Sequence, residues 1–237
     1  MKFFHIDWLP RTRWGYRLVA RFNDCRNPKL KCCAKQHWPA EQTIAFATRL
    51  ALIRVIQRQF NEDIAALSKE FEKKSVEIQK CIPEHKALRL KDSDLAFRLV
   101  AGIDAFIFEA RSSYEILGAL VGRIASNILD IKVDERTLRK LLEIGGHDTS
   151  WIDDLRDERI RFFHETSPWL AVRITDGDPP YEVLVLRRNA YDLEANVDAA
   201  FPLDKLNQIF LGLDAAVNIV ENWLLEKIDE ADQAASL

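Results

Sequence analysis

Apolar positions recur at helical spacing over most of the chain. Ile53, Ile56, Phe60, Ile64, Leu67, Phe71 and Ile78 follow in steps of three, four and seven, the stripe of an amphipathic helix. Pro39 and Glu41 open this helix, which is expected to run from about residue 40 to 81 and to stop before Pro83. Asp92, Ser93 and Asp94 supply caps for a second long helix. Its stripe passes through Leu95, Leu99, Ile103, Phe106, Ala110, Ser113 or Tyr114, Leu117, Val121, Ile124 and Ile128, and ends near residue 129. Within it Gly118, Gly122 and Ser126 repeat every four residues. Small side chains at that interval let another helix approach closely, a packing role.

Shorter elements follow. Asp134 caps a helix that should end at Gly145-Gly146. Another helix starts near Thr149 or Ser150 and holds "WIDDLRDERIRFFHE". A residue before proline is steered away from the helical region. With Ser167 ahead of Pro168, this helix is expected to end within a residue or two of His164. "WLAVRIT" and "YEVLVLRR" alternate in period two around "DGDPP", the pattern of a β-hairpin at about 169–188. Pro202 and Leu203 should begin a closing helix, with Leu206, Ile209, Phe210, Leu213, Val217, Val220 and Leu224 toward the core. Residues 1–38 show neither period clearly and are expected to form an irregular or strand-like arm. The whole predicts a mainly α chain: one helical domain over 39–237, a small β-hairpin insertion, and the arm before it.

Composition fits a packed domain. The 237 residues are 48% hydrophobic and 30% charged, with 13 Phe and 6 Trp, and the net charge is only −3. That excludes a globally disordered chain and any overall bias toward nucleic acid. The charge is nevertheless uneven. Residues 1–37 carry nine Lys and Arg against two acids, hence +7, whereas 221–237 carry five acids and one Lys, hence −4. A basic arm interleaved with Trp8, Trp14, Tyr16, Phe22 and Trp38 can grip a polyphosphate chain, through Arg11, Arg13, Arg17 and Arg21. The plainer expectation is a solvated arm whose aromatics pack on the helices.

No stretch of 18 uninterrupted apolar residues occurs, so no membrane helix is expected. "MKFFHIDWLPRTRWG" lacks a signal-peptide core, which points to a cytoplasmic chain with reduced cysteines. Cys25, Cys32, Cys33 and His37 lie close together but lack paired C-x-x-C knuckles, so buried thiols are expected, with no metal and no cofactor. The acids Asp153 and Asp154 suit the first turn of a helix, and Asp176 and Asp178 suit the hairpin turn.

The stretch with chemistry in it is "RDERIRFFHE", residues 156–165. Ile152, Leu155, Arg159 and Phe162 share a helical stripe, so Arg159 interrupts an apolar face. A guanidinium keeps its charge and there needs a carboxylate or an open interface. Glu109 and Glu115, in the second long helix, are candidate partners. His164 lies about 140° further round a regular helix, so the two side chains converge only where the helix loosens. In a last turn the dipole favours the protonated imidazole. An imidazolium beside a guanidinium suits phosphodiester chemistry, the histidine moving protons and the arginine stabilising charge on phosphate.

Arg159 to His164, an R-x4-H element late in a bundle helix and followed by a closing helix, resembles the motif of the HEPN superfamily. The resemblance covers about residues 40–230 in architecture. It implies an antiparallel helical bundle and a metal-independent endoribonuclease whose site forms where two motifs meet across a homodimer. Carried over, Arg159 and His164 are the catalytic pair and Glu115 an orienting acid, with Arg161 beside them as an RNA contact. It further implies an RNA substrate, a place in a stress or phage-defence system, and an antitoxin or other protein partner. The alternative is a non-catalytic HEPN-like module that dimerises or binds protein or nucleic acid. The enzyme predicts Arg159 and His164 in a shared groove at a dimer interface; the module predicts Arg159 against Glu109 or Glu115, with His164 in solvent.

Overall fold

The computed structural model describes residues 14–28, 38–74, 76, 93–128, 132–164, 169–174, 181–186 and 200–235. Among these residues are six helices and three strands. They are α1 (Tyr16–Asp24), α2 (Trp38–Lys73), α3 (Ser93–Ile128), α4 (Glu135–Ile144), α5 (Ser150–His164), β1 (Trp169–Ile174), β2 (Tyr181–Leu186), β3 (Ala200–Pro202) and α6 (Lys205–Ala234). The fold is mainly α with a small antiparallel sheet, as the periodicity predicts.

The chain forms two compact units. The first comprises Met1–Leu52, Glu109–Leu155 and Gln208–Leu237; the second comprises Ile53–Phe108 and Arg156–Asn207. In the first, α1 buries Leu18 and Phe22, and the early turns of α2 bury Phe46, Ala47 and Leu50. Leu117, Val121 and Ile124 of α3 are buried, as are Leu138 and Leu142 of α4, and Leu213, Val217, Val220 and Leu224 of α6. Each Val, Leu, Ile or Phe side chain among them stabilises by roughly 1.5–3 kcal/mol when removed from water. Leu138 Cδ2 lies 3.9 Å from where a Cβ on Gly118 would sit, and the Val133 carbonyl 3.4 Å from one on Gly122. The glycine stripe of α3 thus serves close packing, as read from its spacing.

In the second unit, Ile53, Phe60, Leu67 and Phe71 of α2 and Leu95, Leu99, Ile103 and Phe106 of α3 are buried. Asp63 is buried among the α2 residues and accepts from Arg98 Nε at 3.1 Å. A buried carboxylate without such a partner would be costly. The hairpin is present: β1 pairs antiparallel with β2, from Trp169↔Leu186 to Ile174↔Tyr181. Leu184, Val185 and Leu186 are consecutive and all buried, so this end of β2 is covered on both faces.

Three expectations need adjustment. Residues 16–24, expected to be irregular or strand-like, are helical. Trp14, Leu18 and Phe22 are buried at intervals of four, a one-sided stripe. Gly15 precedes this helix with φ 77°, a left-handed conformation that suits glycine, and a Cβ there would meet Thr43 Cγ2 at 2.0 Å. The helix expected to reach residue 81 is α2, which ends at Lys73; residues 77–92 lie outside the described ones. Pro202, expected to open the closing helix, lies instead in β3, which pairs with β2 through Leu184↔Pro202. Proline lacks an N–H, and β3 is an edge strand where that donor is not required. The closing helix then begins at Lys205.

Candidate functional site

Arg159, Arg161 and His164 all belong to α5. The helix is built from its first turn. Asp148 Oδ1 accepts from the Ser150 N–H at 2.9 Å, and Asp148 Oδ2 from Ser150 Oγ at 2.6 Å. Those bonds hold the Asp148 carboxyl below the usual carboxylate range. Arg139 of α4 bonds Asp153 through both its Nη atoms, the Nη1 contact being 3.2 Å, and reaches Thr149 Oγ1 at 3.2 Å and the Thr149 carbonyl at 3.3 Å. Thr149 is buried, and its hydroxyl donates to Glu143 Oε1 at 3.3 Å. Trp151, Ile152 and Leu155 are buried, with Trp151 edge-on to Tyr114 at 5.6 Å. The start of α5 is therefore fixed to α4 by an ion pair and to the core of the first unit by three apolar side chains.

From Arg156 onward the helix belongs to the second unit. Arg156 and Asp157 are exposed and paired at 3.3 Å. The backbone stays helical through His164 with no break between Arg159 and His164. On that backbone the two Cα–Cβ directions differ by about 140° and the residues are about 7.5 Å apart along the axis. The end of the helix at His164 agrees with the sequence expectation; the loosening between the two residues, which would let them converge in one copy, does not occur. The side chains of Arg159, Arg161 and His164 lie outside the described residues.

Among the described residues, both candidate acids have an arginine partner. Glu115, 46% exposed on α3, accepts from Arg111 Nε at 2.8 Å, one turn earlier on the same helix. Glu109 accepts from Arg49 Nη1 of α2 at 2.6 Å.

The basic arm is partly accounted for, since Arg11 and Arg13 lie outside the described residues while Arg17 and Arg21 are on α1. Arg21 Nε bonds Asp229 at 2.5 Å and its Nη2 bonds Asp232 at 3.0 Å, which raises the guanidinium pKa further. Arg17 Nη1 reaches Asn222 Oδ1 at 3.3 Å and Glu221 at 3.8 Å. Trp14 Nε1 donates to the Val217 carbonyl at 3.0 Å, and the Gly15 N–H to Glu221 Oε1 at 2.9 Å. Asp232 Oδ1 also accepts the N–H groups of Arg26 and Asn27 at 2.7 and 2.8 Å. Among the described residues, Arg17 and Arg21 of the positive stretch thus pair with the acids Glu221, Asp229 and Asp232 of α6. The sequence held the signal for this, in the opposite charges of 1–37 and 221–237.

Cys25 is buried as a free thiol that donates to the Arg21 carbonyl at 3.1 Å; Cys32, Cys33 and His37 lie outside the described residues. No helix among the described residues is long and apolar enough to cross a membrane. No family model, curated protein or solved structure matches the chain.

Proposed function

We propose that the chain is a HEPN-like, metal-independent endoribonuclease of a stress or defence system, acting as a homodimer in which Arg159 and His164 of two copies form one site. The observation that carries this reading is α5 itself. It is anchored firmly at its start and runs unbroken to His164. The R-x4-H element therefore sits on a rigid helix, with its histidine at the negative end of the helix dipole. On an unbroken helix the pair diverges within one copy, so juxtaposition of a guanidinium with an imidazole takes two helix ends.

The chemistry balances without a metal. The 2′-hydroxyl oxygen of RNA bonds to phosphorus as one His164 takes its proton. The P–O5′ bond breaks, and the departing oxygen takes a proton from the second copy's His164. Arg159 stabilises the charge on the phosphate. The products are a 2′,3′-cyclic phosphate and a 5′-hydroxyl.

The same divergence of about 140° supports a second reading, a HEPN-like module that dimerises or binds a partner without cutting RNA. Incubation of total and transfer RNA with the protein in EDTA separates the two. The enzyme reading expects cyclic-phosphate ends, and a fall of about 10²–10⁴-fold in rate in His164→Ala, the span of a lost general acid–base group. Arg159→Ala should fall similarly. Equal cleavage by wild type and His164→Ala, or none by either, favours the module.

A further inference from the structure

The sheet has two edges, and they differ. Its order is β1-β2-β3, so β1 and β3 are the outer strands. β3 spans three residues and includes Pro202. Brevity and a proline are common ways to keep a further strand off a sheet. β1 spans six residues, Trp169–Ile174, with no proline, no glycine and one charged residue, Arg173.

One hydrogen bond sets the phase of the ladder. The Leu203 N–H donates to the Val183 carbonyl at 3.0 Å, so the backbone groups of Val183 face β3. Alternate residues of an antiparallel strand face opposite neighbours. Val185 therefore also faces β3, whereas Glu182, Leu184 and Leu186 face β1. Their register partners in β1 are Arg173, Ala171 and Trp169. Leu170, Val172 and Ile174 are then the residues whose N–H and C=O groups point away from β2, along the outer edge. The same alternation places Pro202, opposite Leu184, at the outer edge of β3, where its missing N–H leaves a gap. Among the described residues, nothing bonds to the outer groups of β1.

An edge of this kind is completed by one more strand, and β1 is complementary to itself. With a two-fold axis at Val172, Leu170 pairs with Ile174 of the second copy, Val172 with Val172, and Ile174 with Leu170. All three are pairs of the hydrogen-bonded kind, giving about six bonds. Arg173 stands opposite Ala171, so no charge faces its like. Other two-fold registers are poorer. An axis at Arg173 sets the two arginines opposite each other, and an axis at Ala171 keeps only the Leu170–Val172 pairings within β1. Once two copies are joined about Val172, the edges left are the two proline-bearing β3 strands, and the assembly closes as a dimer.

We propose that the outer edge of β1 is an interface between two copies of this chain, paired antiparallel about Val172. This supplies the two-copy assembly that the ribonuclease reading calls for. No part of it rests on Arg159 or His164, and its test contains no RNA.

Sedimentation of the full chain over a range of concentrations gives the balance of monomer and dimer. Amide hydrogen exchange, read residue by residue on dimeric and on diluted protein, locates the contact. The N–H groups of Leu170, Val172 and Ile174 should be protected in the dimer and exchange freely after dilution. Those of Ala171 and Arg173, bonded to β2, should stay protected in both. Val172→Pro removes the central outward donor from each copy and keeps the bonds to β2. It should weaken dimerisation about 30-fold or more, from two lost hydrogen bonds at roughly fivefold each, with an unchanged circular dichroism spectrum. A chain that stays monomeric up to about 1 mM would overturn the proposal. So would a dimer whose outer amides exchange as fast as the monomer's, or a folded Val172→Pro that dimerises like wild type. Outer amides protected at every dilution would mean that another segment of the same chain covers the edge, which overturns it too. If Val172→Pro does not fold, the exchange pattern decides alone.

Discussion

The two halves of α5 differ in kind. Ser150 to Leu155 is held by the Asp148 cap, by the Arg139–Asp153 ion pair and by three buried apolar side chains. The second half opens on an exposed Arg156–Asp157 pair and carries Arg159 and His164 to the helix end. One helix thus joins an anchor to a presenting end. The anchor is where side-chain changes act on stability. The presenting end is where, on the proposed reading, they should act on chemistry.

Substitutions can break this contrast. Trp151→Ala should have the largest effect, lowering stability by about 3–5 kcal/mol, the usual cost of truncating a buried tryptophan. A chemical melt reads this directly. A loss below about 1 kcal/mol would mean that the anchor is not where stability is concentrated. Gly212→Ala adds only a methyl but drives it into the rigid indole; overpacking of this sort costs about 1–3 kcal/mol. His164→Ala should shift stability by no more than about 0.5 kcal/mol while lowering the proposed cleavage by about 10²–10⁴-fold. A large loss of stability there would turn the presenting end into a second anchor.

The smallest effect is on pH dependence. Asp148 has a carboxyl pKa lowered in the folded chain, first by the Ser150 hydroxyl and then by its N–H. A group of that kind contributes stability above its unfolded pKa of about 3.9, and loses the contribution as pH falls through the lower folded value. Wild type should therefore lose stability below about pH 4. Asp148→Asn should show a shallower acid limb and an unchanged melting profile near pH 7. A limb of identical slope in both proteins would remove Asp148 from the anchor.

Legibility in the sequence followed the range of the forces. The limits of α3, its cap region at Ser93 and its stripe were readable because they repeat every three or four residues. So was α4, whose Asp134 accepts from the Thr137 N–H at 2.8 Å and whose Gly146 has φ 76°. There the Gly146 and His147 N–H groups return to the Glu143 and Leu142 carbonyls, the Schellman arrangement. The hairpin was readable from its alternation. By contrast, α1 has only nine residues, too few to be stable alone. The hydrogen-bond partners of Trp14 and Gly15 in α6 lie more than two hundred positions away, where no local pattern reaches. β3 was missed because three residues give no period and its proline looked like a helix start. For the candidate site, the sequence located Arg159 and His164 on one helix and at its end. Glu115 was read from its position on α3, where Arg111 four residues earlier pairs with it at the ordinary spacing of helical ion pairs.

The seam between α1 and α6 also has a consequence in time. Its contacts join residues separated by 203 to 211 positions, from Trp14–Val217 to Arg21–Asp232. A ribosome adding about 5–20 residues per second needs roughly 10–40 s to cover such a distance. Throughout that interval Trp14 can meet Phe46 of α2, with which it stacks edge-on at 4.3 Å, but the α6 side of this segment has nothing to bond to. Only when Val217 to Asp232 emerge can this early segment of the nascent chain close onto its late one. A stalled chain that stops short of Val217 should therefore display a basic, aromatic, protease-sensitive segment that the finished protein hides.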